Sequence, residues 1–421
     1  MKVSIHRSKV SGRVSAPPSK SYTIRGAMCA ALANGESEII SPLISDDTRA
    51  ALHVLRQVGA IIREEDDRWR VIGGNFHEPG TELFCGESAA TLRFMTAICS
   101  LVPGESRLTV GPSLSRRPVK PLVQALQQLG VSCSSRDDGI PVTVNGGRLR
   151  GGTAELAGSI SSQFISALLL IAPFAEEGVT IRLTTPVESK PFLLMTRDCL
   201  QQFGVKTEFS SDLRELGVDR QTFKPAQYRV EGDWSSVSYL LALGAVAGEV
   251  EVGNINPESR QGDKIILDYL REMGATVDIT HDAVMVRKSR LKAMRADLSD
   301  CIDLLPTMAA LAVVAEGVSE FVGIERARLK ESDRVSAVRE GLERMGIKVE
   351  EQQNRLTISG ATPKGAVIDP RDDHRIAMAF CILGLLAGET VIRDAECVSK
   401  TFPGFWDVVK KLGGKVDVNG K

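Results

Sequence analysis

Six places in the chain set hydroxyl or charged residues directly ahead of a long apolar stretch. They are Ser19-Lys20-Ser21, Glu87-Ser88, Ser161-Ser162-Gln163, Asp233 with Ser235 and Ser236, Asp303, and Asp372-Asp373-His374-Arg375. Ser and Asp at such positions are ordinary helix N-caps, and capping accounts for Asp233 and Ser235. It does not account for Lys20, Arg25, Arg93 and Arg375, because a cation in the first turns opposes the helix dipole. A bound anion reverses that argument, since a helix start joined by Lys or Arg is a phosphate or carboxylate site. A second series of cations lies farther along, at Arg49, Arg116-Arg117, Lys190, Lys264, Arg328 with Lys330 and Arg334, and Lys400. The ligands implied are small and multiply anionic.

The chemistry is narrowed by what is missing. Nothing reads as a phosphate-binding GxxxxGK[ST] loop, a GxSxG elbow or a Cys–His pairing signature. General acid–base chemistry by Asp, Glu and Lys remains. Asp303 opens the apolar run DLLPTMAALAVV, where a carboxylate among cations accepts a proton from a hydroxyl; an N-cap is the equal alternative. Glu331, in RLKESDR, is either an acid–base group or one partner of an i,i+3 surface ion pair.

These residues must be positioned by the elements around them, and those elements recur. An apolar helix-like run ends at Gly35, Gly104, Gly178, Gly248, Gly317 and Gly388. A strand, a loop and an amphipathic stretch follow, ending at Gly59, Gly130, Gly204, Gly274, Gly346 and Gly413. The period of roughly 70 residues exceeds that of solenoid repeats, so each copy is a small α/β unit. Copy four predicts a helix over 234–247, a strand over 249–252 and an amphipathic helix over 263–273 with Ile265, Ile266, Tyr269, Leu270 and Met273 on one face. The hairpin strands ATVDIT and AVMVRK come next.

Copy six stops after one hairpin strand, Lys415 to Val418. Lys2 to His6 is an orphan strand of the right kind to complete it and to cover its edge. A discontinuous domain, 1–14 plus 232–421, and an inserted one, 15–231, are expected, with three copies each and the site in the cleft between them.

The bulk numbers agree with two cores. The chain has 421 residues, 43% of them hydrophobic, and a formal net charge of −1. Such a balance gives no global field for nucleic acid or an anionic membrane surface. No apolar run is long enough to span a bilayer, and the start has no secretory signature. The eight Cys include no CxxC pair and several sit inside apolar runs, which reads as buried thiols in a reducing cytoplasm. The five His form no metal-ligand spacing.

Six motifs carry a resemblance over essentially the whole chain: PSKSYTIR (18–25), SRRP (115–118), SSQF (161–164), LKESDR (329–334), DDHRIAM (372–378) and SKTFPGFW (399–406). Together, in this order, the chain resembles the 5-enolpyruvylshikimate-3-phosphate synthase family. The resemblance implies an α/β fold of two lobes, each of three βαβαββ repeats in a pseudo-threefold, inside-out α/β barrel arrangement. It implies attack of the 5-hydroxyl of shikimate 3-phosphate on C2 of phosphoenolpyruvate, through a tetrahedral intermediate, with release of phosphate. No metal or organic cofactor is implied. The step belongs to chorismate and aromatic amino acid biosynthesis, and a cytoplasmic monomer is expected.

By the same resemblance, Lys20, Ser21, Arg25, Ser161, Ser162, Gln163, Ser189, Asp303 and Lys330 meet shikimate 3-phosphate. Lys20, Ala89, Arg117, Gln163, Arg334, Arg375 and Lys400 meet phosphoenolpyruvate. Asp303 is the implied base, Glu331 the implied proton donor, and Lys20 assists. Lobe closure would exclude water. Three departures stand out. Ala89 replaces a Gly common in the family, so the pocket is narrowed and glyphosate is expected to bind poorly. Phe192 stands where Tyr is frequent, and Arg326 replaces an Asn of some relatives. The sister family acting on UDP-N-acetylglucosamine is the alternative; it follows its first-helix Lys with Asn, where this chain has Ser21. A nucleotide-using RNA 3′-phosphate cyclase fits the charge poorly, and a non-catalytic anion-binding module leaves Asp303 and Glu331 unexplained.

Overall fold

A computed structural model describes residues 1–419, apart from the Asp138 side chain. The chain divides into two compact units, one comprising Met1–Pro17 and the chain from Glu231 onward, the other Pro18–Val230. Each unit has its own continuous apolar core.

One pattern is built three times in each unit. The fifth copy illustrates it. Strand Arg295–Asp297 runs parallel to Val318–Val322, which pairs antiparallel with Arg355–Ser359, itself antiparallel to the edge strand Val349–Gln352. Helix Leu305–Val314 lies between the first two strands in sequence, and helix Arg334–Arg344 precedes the hairpin. Among the described residues there are six sheets, each of four strands in this order.

The first helix of each copy lies inside its unit. Leu305–Val314 is buried at every position but its last, and Trp234–Ala247 and His374–Ala387 are buried almost throughout. The three pack against one another. An all-apolar helix has no solvent face and is stable only at the centre of a fold, which leaves the sheets and second helices outside. In the other unit Ala89–Ile98 packs on both Lys20–Leu32 and Ser162–Ile171.

The second glycine of each copy has a structural reason. Gly59 has φ 116° and its five counterparts lie between 80° and 92°. In each case the next residue donates its N–H to the carbonyl five residues back, as Ala60 does to Leu55 and Ile347 to Leu342. This is the Schellman closure that left-handed backbone permits.

Two strands are exchanged between distant parts of the sequence. Val10–Ser15 runs parallel to Gly248–Gly253 in the fourth copy's sheet. Gln227–Arg229 runs parallel to Gly35–Ile40 in the first copy's sheet. Nothing in the repeat spacing indicated either pairing. Lys2–His6 lies between Thr390–Ile392 and Lys415–Asn419, antiparallel to both. Val3 and Ile5 are fully buried there, and Ile5 fills the space over Gly384, where a Cβ would come within 3.1 Å of it. Truncation at Ile5→Ala is therefore expected to cost about 2–5 kcal/mol, read from the urea unfolding midpoint; a loss below 1 kcal/mol, within the range of surface substitutions, would show that this strand does not support the core.

One expectation needs correction. The fourth copy's second helix is split into a 3-10 turn, Gly262–Ile265, and a helix, Ile266–Glu272. Asp263 turns inward and three-residue geometry moves Ile265 off the apolar face. Ile265 is 37% exposed, whereas Ile266, Tyr269, Leu270 and Met273 are buried.

Candidate active site

In the unit containing Asp303, the starts of two buried helices, Leu305–Val314 and His374–Ala387, and of the second helix Arg334–Arg344 hold a compact ionic network. Asp303 sits in the 3-10 turn Ile302–Leu304 and makes no cap for the helix that follows. Its Oδ1 accepts Arg334 Nη1 at 2.6 Å and lies 3.3 Å from Lys330 Nζ; its Oδ2 accepts Arg375 Nη2 at 3.3 Å. Arg334 is 1% exposed and also donates to Glu331 Oε2 at 2.5 Å and Asp373 Oδ2 at 2.8 Å. Asp373 is the N-cap of His374–Ala387, accepting Arg375 N at 2.9 Å, and accepts Ser332 Oγ at 3.0 Å. Arg375 Nε and Nη1 are buried with no hydrogen-bond partner among the described residues. The Tyr239 hydroxyl, itself buried, is the neutral polar group beside this guanidinium, and it leaves most of the N–H groups there unmatched.

The network sorts the carboxyl groups. Burial alone would raise the Asp303 carboxyl, but Arg375, then Lys330 and Arg334, hold it well below the usual carboxylate range. The stability it contributes is present above its ordinary range and is lost as pH falls through the depressed value. Burial, and next the charge of Asp303, push neighbouring Asp263 up to about 7. Burial also draws Lys330 down to about 8, against the pull of Asp303. Lys400 donates to Asp372 Oδ2 at 2.6 Å and to the Asp372 carbonyl at 2.8 Å.

In the other unit the polar groups also gather at buried helix starts. Lys20 Nζ donates to Asp47 Oδ2 at 2.7 Å. Arg25 is 2% exposed between the rings of Phe94 and Phe192, donating to Thr196 Oγ1 at 2.8 Å and the Ser21 carbonyl at 3.1 Å. Arg93 lies over Phe164 and donates to Gln163 Oε1 at 2.6 Å and Ser161 Oγ at 3.2 Å. Ser161 caps helix Ser162–Ile171. Ser189, with φ 56°, precedes helix Lys190–Gln202 and is 2% exposed. Ala89 is the first residue of Ala89–Ile98 and is 7% exposed. Glu87 accepts Ser113 Oγ at 2.5 Å and Leu114 N at 2.8 Å, fixing the turn that leads into Arg117.

Several sequence readings change. Ser235 donates to buried Asp263 instead of capping its helix, because Asp233 already caps it. Glu331 does form an i,i+3 pair, but its partner Arg334 is buried, so the pair is no surface feature. Of the second cation series, Arg49 and Arg116 are exposed, and Arg328 is committed to Asp333, the N-cap of the following helix, and to Glu351 on the edge strand of its own copy. In the fourth copy the inward group is Asp263, beside the Lys264 singled out from sequence. Asp47, Asp263 and Asp373 were not assigned roles; an acid next to each recurring cation was the available signal.

Two units, each of three βαβαββ copies around buried helices that open on charged side chains, define the enolpyruvyl transferase class of fold. Two solved structures share it over nearly all of both chains. An EPSP synthase from Acinetobacter baumannii has TM-score 0.84 at 24% identity, covering all of both chains. The enolpyruvyl transferase NikO from Streptomyces tendae has TM-score 0.81 at 19% identity, covering 99% of this chain and 98% of its own. Residues 5–409 match the family described as EPSP synthase (3-phosphoshikimate 1-carboxyvinyltransferase), and the chain belongs to that family. A relative from Dehalococcoides mccartyi bearing that transferase name is 49% identical over 99% of both chains, and one from Methanocaldococcus jannaschii is 42% identical over 97% of both.

Proposed function

We propose that the chain joins phosphoenolpyruvate to the 5-hydroxyl of shikimate 3-phosphate. The observation that carries this reading is the Asp303 carboxylate shared by Arg334, Arg375 and Lys330. Lys20, Ser21, Arg25, Ser161, Ser162, Gln163, Ser189 and Lys330 take shikimate 3-phosphate. Lys20, Gln163, Arg117, Arg334, Arg375 and Lys400 take phosphoenolpyruvate; the buried Nε and Nη1 of Arg375, which make no hydrogen bond to the described residues, support its contact.

Asp303 is a weak base while three cations surround it. Substrate phosphates and carboxylates draw those cations away, and the carboxylate then rises toward a useful pKa. It takes the hydroxyl proton as that oxygen bonds to C2, while Glu331 protonates the methylene carbon. Loss of a methyl proton and cleavage of the C2–O bond to phosphate complete the transfer. The cations stabilise charge throughout. Phosphate release that requires both substrates, without added metal, is expected; release only with UDP-N-acetylglucosamine would favour the sister activity.

Ala89 narrows the phosphoenolpyruvate pocket by one methyl. Ala89→Gly is expected to tighten glyphosate inhibition by about tenfold or more, the range of one misplaced methylene in a pocket. Equal inhibition constants for the two proteins would refute this. We place the enzyme in the cytoplasm as a monomer. All eight cysteines are buried thiols, and no helix among the described residues is long and apolar enough to cross a membrane.

A further inference from the structure

The Lys400–Asp372 pair is lopsided. Lys400 is 8% exposed, whereas the Asp372 side chain is 57% exposed. Its ammonium can therefore change partner without stranding a buried carboxylate, unlike Arg334, whose partner Asp373 is fully buried. The loop presenting Asp372 is also strained. Arg371 and Asp372 are consecutive non-glycine residues with φ 54° and 57°, a conformation that costs free energy and persists only when surroundings enforce it. The Asp369 carboxylate accepts Arg371 N at 2.8 Å, and the Arg371 side chain pairs with Glu340. The result is an exposed carboxylate held against a buried ammonium.

We propose that Asp372 is an internal rival for the anionic substrate on Lys400, one that phosphoenolpyruvate displaces when it binds. This rests on Lys400 contacting phosphoenolpyruvate, as read above. The charged groups facing Lys400 are Asp372 and Glu331, with the Cys397 thiol beside them. Burial lowers the Lys400 ammonium, the Asp372 contact outweighs it, and the net displacement is upward. Burial pushes the Cys397 thiol up, so it stays neutral.

The test is Asp372→Asn in the full chain. Asn accepts the left-handed backbone and keeps the carbonyl contact to Lys400. The KM for phosphoenolpyruvate is expected to fall about three- to fivefold at neutral pH, the strength of a partly exposed ion pair, with kcat within about twofold. Because Lys400 loses the contact that raises it, the alkaline limb of kcat/KM should move to lower pH. Asp372→Gly, which also relieves the strained φ, should lower KM in the same way. An unchanged or higher KM in both variants, or an unmoved alkaline limb, would overturn the proposal. Lys400→Met separates the two ideas. If it leaves phosphoenolpyruvate binding intact, the assignment of Lys400 fails; if it weakens binding while both Asp372 variants are neutral, only the rivalry fails.

Discussion

Asp303→Asn should lower kcat by about a thousandfold, in the middle of the range for a positioned acid–base group. The amide keeps the shape of the carboxylate but accepts no proton. It also removes the counter-charge shared by Arg334, Arg375 and Lys330. Those cations then attract the substrate anions at least as strongly as before. The KM for phosphoenolpyruvate should therefore stay level or fall while kcat collapses. Steady-state kinetics give both numbers. A loss confined to KM would mean that Asp303 only arranges its neighbours.

The second large effect is on stability. Arg334→Met leaves Asp303, Glu331 and Asp373 without the guanidinium that joins them, and Asp373 is fully buried. Breaking a buried pair from one side typically costs about 3–5 kcal/mol, and urea unfolding at pH 7 should show a loss of that order. The sign with pH is a further check. The Asp303 carboxyl, deprived of Arg334, has a higher folded pKa than before, so it neutralises more readily as pH falls. The deficit relative to the parent protein should therefore shrink as pH is lowered from 7. Arg334→Lys should recover little, because an ammonium cannot span three carboxylates in the planar fork of a guanidinium. A deficit that is small and flat with pH would contradict this account.

The repeat was legible because its marks are local. A Gly at each helix end, apolar runs without a polar face and alternating hairpin strands are fixed by backbone geometry within one copy. The charged residues at helix starts were legible for the same reason. Their pairing was not. In RLKESDR the spacing cannot distinguish Arg328, which reaches the helix cap Asp333 and the edge-strand Glu351, from Arg334, which reaches Asp303 and Asp373. Asp263 and Asp47 look like ordinary loop acids until tertiary packing buries them. The exchanged strands Val10–Ser15 and Gln227–Arg229 pair across more than 180 residues, a relation that no periodicity encodes.

The most direct test of the central claim, that Asp303 activates the attacking hydroxyl, is a single-turnover quench experiment. Shikimate 3-phosphate and phosphoenolpyruvate are mixed with excess enzyme, and the adduct carrying both phosphate groups is followed in the parent protein and in Asp303→Asn. The adduct should form and decay in the parent and fail to accumulate in the variant on the same timescale. Formation at the parent rate in Asp303→Asn would contradict the account.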